Sequence, residues 1–260
     1  MQESEARQQA HYDRIGDDYE AHYSDEWSTL YRRLHIYEPL VSGLDLKGWK
    51  VLDAMCGSGQ TAEFLLSLGA QVSGLDISAR VIEQFRAKLP TATAVQGSIL
   101  RSEFADQSFD AIFVTSGLHH LQPKVPEAVA ELKRILKPGG WLCFAEPHAG
   151  ALADVARRFW YRFDPLFEEN EAAVDVEDLM RANRDGFDFI TLKYSGGFAY
   201  LLVYNSMVFR VPLAWKRYYA GPLLWLERKL ERLQGKRTSC FMIVQWRKKG
   251  PMSTRQAPLN

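Results

Sequence analysis

An apolar run ends in an acid, breaks into a glycine-rich turn and enters a helical pattern at Val51-Leu52-Asp53-Ala54-Met55-Cys56-Gly57-Ser58-Gly59-Gln60-Thr61-Ala62. Glycines 57 and 59 permit a tight turn and a close approach of backbone to ligand, and the N–H groups that open the next helix point toward that ligand. The pattern is that of a loop holding a nucleotide cofactor. Asp76 closes a second apolar run, 23 residues beyond Asp53, where a carboxylate can accept from both vicinal hydroxyls of a ribose. His119 and His120 follow a further apolar run ending at Thr115; an imidazole titrates near neutrality and can take a proton from a hydroxyl acceptor, with His120 the preferred candidate. Glu146 and His148 lie beyond the next run and are second-rank candidates. No carboxylate cluster with oxygen-ligand spacing accompanies the histidines, so no metal is expected.

These residues need a frame that brings several loops to one edge. From residue 49 to 145, short apolar runs alternate with helical periods, the signature of a parallel sheet covered by helices on both faces. Strands are predicted near 49–54, 71–76, 92–95, 109–114 and 140–145, with helices at about 60–68, 78–88 and 124–136. In the last helix Val125, Val129, Leu132 and Leu136 share one face, and Pro138-Gly139-Gly140 reads as its stop. Upstream, residues 3 to 42 read as two helices, the first with Tyr12, Tyr19 and Tyr23, the second with Leu30, Leu34 and Tyr37. Downstream come helices near 150–163 and 175–183, a strand near 187–193, an aromatic and basic helical insertion at 200–234, and a final strand Cys240 to Trp246. The organisation expected is a helical cap (1–48), a doubly wound, Rossmann-like α/β domain with an antiparallel last strand (49–249) and a disordered tail (250–260).

With 260 residues, 47% of them hydrophobic, the chain can bury a core without staples. Its formal charge is zero, which gives no general reason to expect nucleic-acid binding. The charge is uneven, though: residues 1 to 26 hold eight acids and two bases, whereas residues 207 to 239 hold eight bases and two acids. Cys56, Cys143 and Cys240 show neither disulfide nor zinc spacing, and no run approaches a membrane span or a signal peptide. A cytoplasmic protein is expected, monomeric or homodimeric.

Two cofactors suit the glycine loop. Gly57-x-Gly59-x-x-Ala62 satisfies a dinucleotide fingerprint, which keeps an NAD(P)-dependent oxidoreductase as the alternative. Asp53, however, sits badly beside a pyrophosphate and well beside a ligand carrying an ammonium or sulfonium. The segments VLDAMCGSGQTAEFL, VSGLDIS, QGSIL, FDAIFVTSGLHHL and LKRILKPGGWLCFAEP, in that order, resemble the motifs of the class I S-adenosylmethionine-dependent methyltransferases over residues 10 to 145. The resemblance implies that Asp53, Ala54, Met55, Gly57 and Gly59 border the methionine moiety, that Asp76 takes the ribose hydroxyls and that Ile77 packs on adenine. It further implies that Gly97, Ser98 and Ile99 border adenine, that Thr115 contacts the amino-acid end, and that Tyr12 and Tyr19 close over the cofactor. Two residues depart from the pattern. Met55 replaces a glycine at a position where positive φ is unfavourable for a side chain, and Ser98 replaces an acid.

The expected reaction is methyl transfer to a small molecule, first of all to a hydroxyl of a hydrophobic or glycosylated metabolite. C- or N-methylation of a lipid-like or quinone-like acceptor is the alternative. Residues 200–234 carry Tyr204, Phe209, Trp215, Tyr218, Tyr219 and Trp225 and a leucine stripe, Leu223, Leu226, Leu230 and Leu233. Three roles stay open for them: a lid, a subunit contact, or a peripheral contact with a membrane surface.

Overall fold

The computed structural model describes residues 23–155 and 172–250; Tyr12, Tyr19, most of the helix expected at 150–163 and nearly all of the tail lie outside them. Among the described residues seven strands form one sheet in the order β3-β2-β1-β4-β5-β7-β6. They are β1 Lys50–Ala54, β2 Gln71–Asp76, β3 Thr93–Gln96, β4 Phe109–Thr115, β5 Leu136–Pro147, β6 Phe187–Ser195 and β7 Phe241–Lys248. β7 runs antiparallel to both β5 and β6 and the other pairings are parallel. The order reverses between β1 and β4, and the loops leaving those two strands frame a crevice, the usual ligand position of an open α/β sheet.

Helices cover both faces. The first, α1, comprises Glu26–Arg32, a π-helical turn Arg33–Tyr37 and Glu38–Leu40. It begins where the Asp25 carboxylate accepts from the Trp27 and Ser28 amides at 3.1 and 3.3 Å, a cap that contributes about 1 kcal/mol. Then follow α2 Gln60–Ser67, α3 Ala79–Lys88, α4 Val125–Ile135, α5 Val176–Asn183 and α6 Lys216–Leu230. On one face Val125, Val129 and Leu132 of α4 pack on Ile112, Leu142 and Trp246. On the other, Tyr31 and Leu40 of α1, Leu65 of α2, Phe85 of α3 and Leu224 of α6 pack on Val51, Phe113 and Ile243.

One expectation needs correcting. Pro138-Gly139-Gly140 does not stop α4: the helix ends at Ile135, and Leu136 is already extended at φ −80°, ψ 136°. The three residues lie inside β5, where the pairing with β4 shifts between Phe109 and Ala111. In α6 the leucines Leu223, Leu226 and Leu230 are half-buried and do not form the helix's buried line. That line is Lys216, Ala220, Leu224 and Glu227, while Leu233 is 75% exposed. Two charged residues hold a buried helix face because both are fully engaged. Lys216 donates to Asp25 and to Ser28 Oγ at 2.5 and 2.7 Å. Glu227 accepts from the Tyr31 hydroxyl at 2.7 Å and from the Gly197 and Ala199 amides at 3.0 and 2.6 Å. These bonds fasten α6 and residues 197–204 to α1, so the insertion and α1 form a single cap over the sheet.

Candidate active site

A cleft of about 200 Å³ opens at the carboxyl ends of β1, β2 and β4. Its floor is the glycine loop. Met55 and Gly57 both have positive φ, +59° and +52°, and Gly59 caps α2 in the left-handed region at +89°. A Cβ on Gly59 would lie 2.8 Å from Phe85 and Leu89, so this glycine is needed for space as well as for φ. Met55 therefore takes the conformation that its side chain disfavours, at about 1–2 kcal/mol. Its sulfur occupies the space a Cβ on Gly117 would need, 2.7 Å away, which ties the first loop to the loop after β4.

At one end of the cleft, Asp76 accepts from the Gly57 amide at 3.1 Å and from the Ser78 amide at 3.1 Å. The carboxylate is thus fixed at the mouth of β2 while it still lines the cleft. Ile77, Val81 and Ile99 form an apolar wall beside it, with Gly97 and Ser98 at its border. At the other end, the Thr61 hydroxyl donates to the Tyr37 oxygen at 3.2 Å and lies 2.8 Å from the Thr115 hydroxyl. Burial pushes the Tyr37 phenol up to about 12, so it is neutral there.

Arg32 also lines this end, and sequence reasoning missed it. Only 6% of it is exposed. It donates to Gln60 and to the Tyr23 carbonyl, the latter at 2.7 Å, and its guanidinium lies 5.5 Å from the Tyr204 ring centre. No carboxylate among the described residues pairs with it. Its helical spacing from Ser28 and Ile36 was the only sequence signal that it faces inward.

The loop after β4 is braced from beneath. Glu146, 1% exposed, accepts from the Gly117 and Leu118 amides at 2.7 and 2.8 Å and meets His119 Nδ1 at 2.8 Å. His119 thereby turns onto Glu146 and does not line the cleft. His120 does, with its ring 3.8 Å from that of His119. His148 packs against Tyr194, at 4.7 Å between ring centres, and does not line the cleft either.

The residues expected around the cofactor divide accordingly. Met55, Gly57, Asp76, Ile77, Gly97, Ser98, Ile99, Thr115 and His120 line one cavity, whereas Asp53, Ala54 and Gly59 lie behind its wall. Asp53 is 1% exposed and neither carboxylate oxygen has a hydrogen-bond partner. Burial holds its carboxyl well above the usual range; the Ala62 amide opposes this and the Asp76 charge adds to it.

Residues 52–144 match the family model of a methyltransferase domain. The chain thus carries a methyltransferase domain over these residues. A demethylmenaquinone methyltransferase of Desulfitobacterium hafniense is 28% identical over 58% of this chain and 68% of its own length. A malonyl-acyl carrier protein O-methyltransferase of Pectobacterium atrosepticum is 31% identical over 54% of each chain. The chain spans about half the length of several curated methyltransferases it matches, 48% for one from Synechocystis. Among solved structures, an S-adenosylmethionine-dependent methyltransferase of Thermotoga maritima superposes with a TM-score of 0.63 over 92% of this chain and 99% of that one, at 18% identity. A cyclase, SpnF, superposes at 0.62 over 88% of this chain and 85% of that one, also at 18% identity, so likeness at this level speaks for the fold. The dinucleotide reading of the same glycines gains no support from any of these relatives.

The methyltransferase domain fits the cofactor of its class. Asp76 is a fixed acceptor beside an apolar wall, and the Arg32 guanidinium, which no carboxylate among the described residues pairs with, is a buried cation at the opposite end, suited to a carboxylate.

Proposed function

We propose that the protein transfers a methyl group from S-adenosylmethionine to a small hydrophobic or glycosylated acceptor, at a hydroxyl. The observation that carries this reading is the span of the cleft, from the Asp76 carboxylate at one end to the buried Arg32, which meets no carboxylate among the described residues, at the other. In it, Asp76 holds the ribose hydroxyls, Ile77, Val81 and Ile99 clasp the adenine, and Arg32 holds the carboxylate of the amino-acid end. The bound cofactor supplies a methyl on a sulfonium, transferred by in-line displacement, so alignment and exclusion of water do most of the work. His120 takes the acceptor's proton as that oxygen attacks. Glu146 and His119 are positioning residues: they fix the turn on which His120 sits.

A screen of metabolite extracts with methyl-labelled cofactor tests the reading. We expect a labelled small molecule methylated on oxygen, and a His120→Ala enzyme that binds cofactor normally and turns over ~10²-fold more slowly. Transfer to nitrogen or carbon, with turnover unchanged in His120→Ala, would remove the base and the hydroxyl acceptor from the proposal.

A further inference from the structure

The outward face of α6 is built unlike the rest of the surface. Tyr218, Pro222, Trp225 and Lys229 stand four, three and four residues apart, a single line along the helix opposite the buried line Lys216, Ala220, Leu224 and Glu227. Trp215 precedes that line in the short 3-10 turn Leu213–Trp215. Trp215, Tyr218 and Trp225 are 61%, 69% and 63% exposed. A soluble protein rarely sets three large aromatics along one solvent face.

Charge is sorted on the same helix. Arg217, Arg228, Lys229 and Arg232 are exposed, and none has an acidic partner among the described residues. Arg217 lies over the Tyr218 ring at 4.7 Å and Lys229 over Trp225 at 5.8 Å. The two acids of the segment are spent elsewhere. Glu227 is buried against Tyr31 and residues 197–200, and Glu231 pairs with Lys193. What remains outward is four positive charges around aromatic side chains, with no negative charge among them.

We propose that this face, Trp215 to Arg232, docks the protein on an anionic lipid surface. Trp and Tyr settle at the level of lipid headgroups because their rings are apolar with a polar tip, and arginine and lysine stems lie along the apolar layer while their heads reach phosphates. The charge argues against a second copy as occupant: a two-fold contact would set the four bases of one protomer against the same four of its partner. Pairing through the half-buried flank of Tyr219, Leu223, Leu226 and Leu230 would leave the aromatics in water. A convex helix face offers no groove to track a nucleic-acid backbone. α6 rests on α1 and on the turn Tyr200–Tyr204, with the Tyr219 hydroxyl donating to the Leu202 carbonyl at 2.9 Å. Arg32 and Tyr204 of those elements line the cleft, so a docked protein holds that wall of the cleft one helix away from lipid.

Vesicle co-sedimentation of the full chain tests this without reference to catalysis. We expect binding to vesicles containing one-third phosphatidylglycerol, weakened by salt, and little binding to pure phosphatidylcholine. Replacing Arg217, Arg228, Lys229 and Arg232 by Gln together should lower binding to the anionic vesicles ~100-fold. The Trp215→Ala, Trp225→Ala double variant should weaken it as well and abolish the blue shift of tryptophan emission on vesicle addition. All six positions are exposed, so each variant should keep the thermal midpoint of the parent, which guards against loss through misfolding. No binding to anionic vesicles, equal binding by the Gln variant, or tighter binding to a single-stranded oligonucleotide than to vesicles would overturn the proposal.

Discussion

The cleft has two sides made on different principles. The side formed by β1, β2, β4 and their loops is mostly backbone: Met55 and Gly57 at positive φ, Asp76 clamped by two amides, and the loop after β4 hung on Glu146. The side formed by α1 and residues 197–230 is mostly side chains joined across long stretches of sequence: Tyr31 to Glu227, Lys216 to Asp25, Ser28 to the Val203 carbonyl. The match to the methyltransferase domain ends at residue 144, so it covers the first side and none of the residues 197–230. The lesson is that the cofactor half is specified locally and the acceptor half by tertiary polar contacts.

Perturbing each side should therefore give different losses. The largest effect is expected from Asp76→Ala, which removes the ribose acceptor and leaves the Gly57 and Ser78 amides without their partner. Affinity for S-adenosylhomocysteine should fall by more than ~100-fold, about 3 kcal/mol or more, as read by calorimetry. A loss under tenfold would mean that the backbone side does not dominate binding. Next comes Glu227→Ala, which leaves the Tyr31 hydroxyl and the Gly197 and Ala199 amides buried without an acceptor. We expect about 2–3 kcal/mol of destabilisation, confined to the cap: hydrogen exchange should speed up in α1, in residues 197–204 and in α6, while β1, β2 and β4 keep their protection. Uniform loss of protection would erase the distinction between the sides.

A smaller effect, of opposite sign, is expected from Asp53→Asn. The folded carboxyl is held above its ordinary value of 3.8, so the folded state keeps a proton that the unfolded chain releases. Stability from this group is full below 3.8 and declines as pH rises toward the folded value. The Asn variant escapes that decline, so its cofactor-free thermal midpoint should exceed the parent's by a few degrees at neutral pH, and the gap should close in acid. A gap independent of pH would contradict the burial argument. The smallest effect is expected at Met55→Gly, where relief at φ +59° is offset by lost packing on Gly117; a net change under about 1 kcal/mol is expected, measured by denaturant unfolding.

The same contrast explains what could be read from the chain. Strands β1 and β4 announce themselves because most of their residues are buried and read as apolar runs, β2 and β3 carry shorter apolar stretches, and Gly57, Asp76 and His120 sit where the runs break. β5 was legible only from Gly140 onward, since Lys137 to Gly139 look like a turn and are instead the irregular entry of the strand. The helices of the cap were expected, but the contacts that fasten them were not legible. The buried line of α6 contains Lys216 and Glu227, which interrupt the apolar period, and their partners Asp25 and Tyr31 lie some 190 residues away. Arg32 was hidden for the same reason: a charged residue on a surface helix reads as solvated until the structure shows which neighbours enclose it.

The account stands on the identity of the ligand that spans Asp76 and Arg32. Calorimetric titration of the wild-type protein and of Arg32→Met with S-adenosylhomocysteine, and of the wild type with NAD, tests it most directly. It predicts saturable binding of S-adenosylhomocysteine to the wild type, weaker binding by tenfold or more to Arg32→Met, and no heat with NAD. Binding of NAD in preference to S-adenosylhomocysteine, or equal affinity of the two proteins, would contradict it.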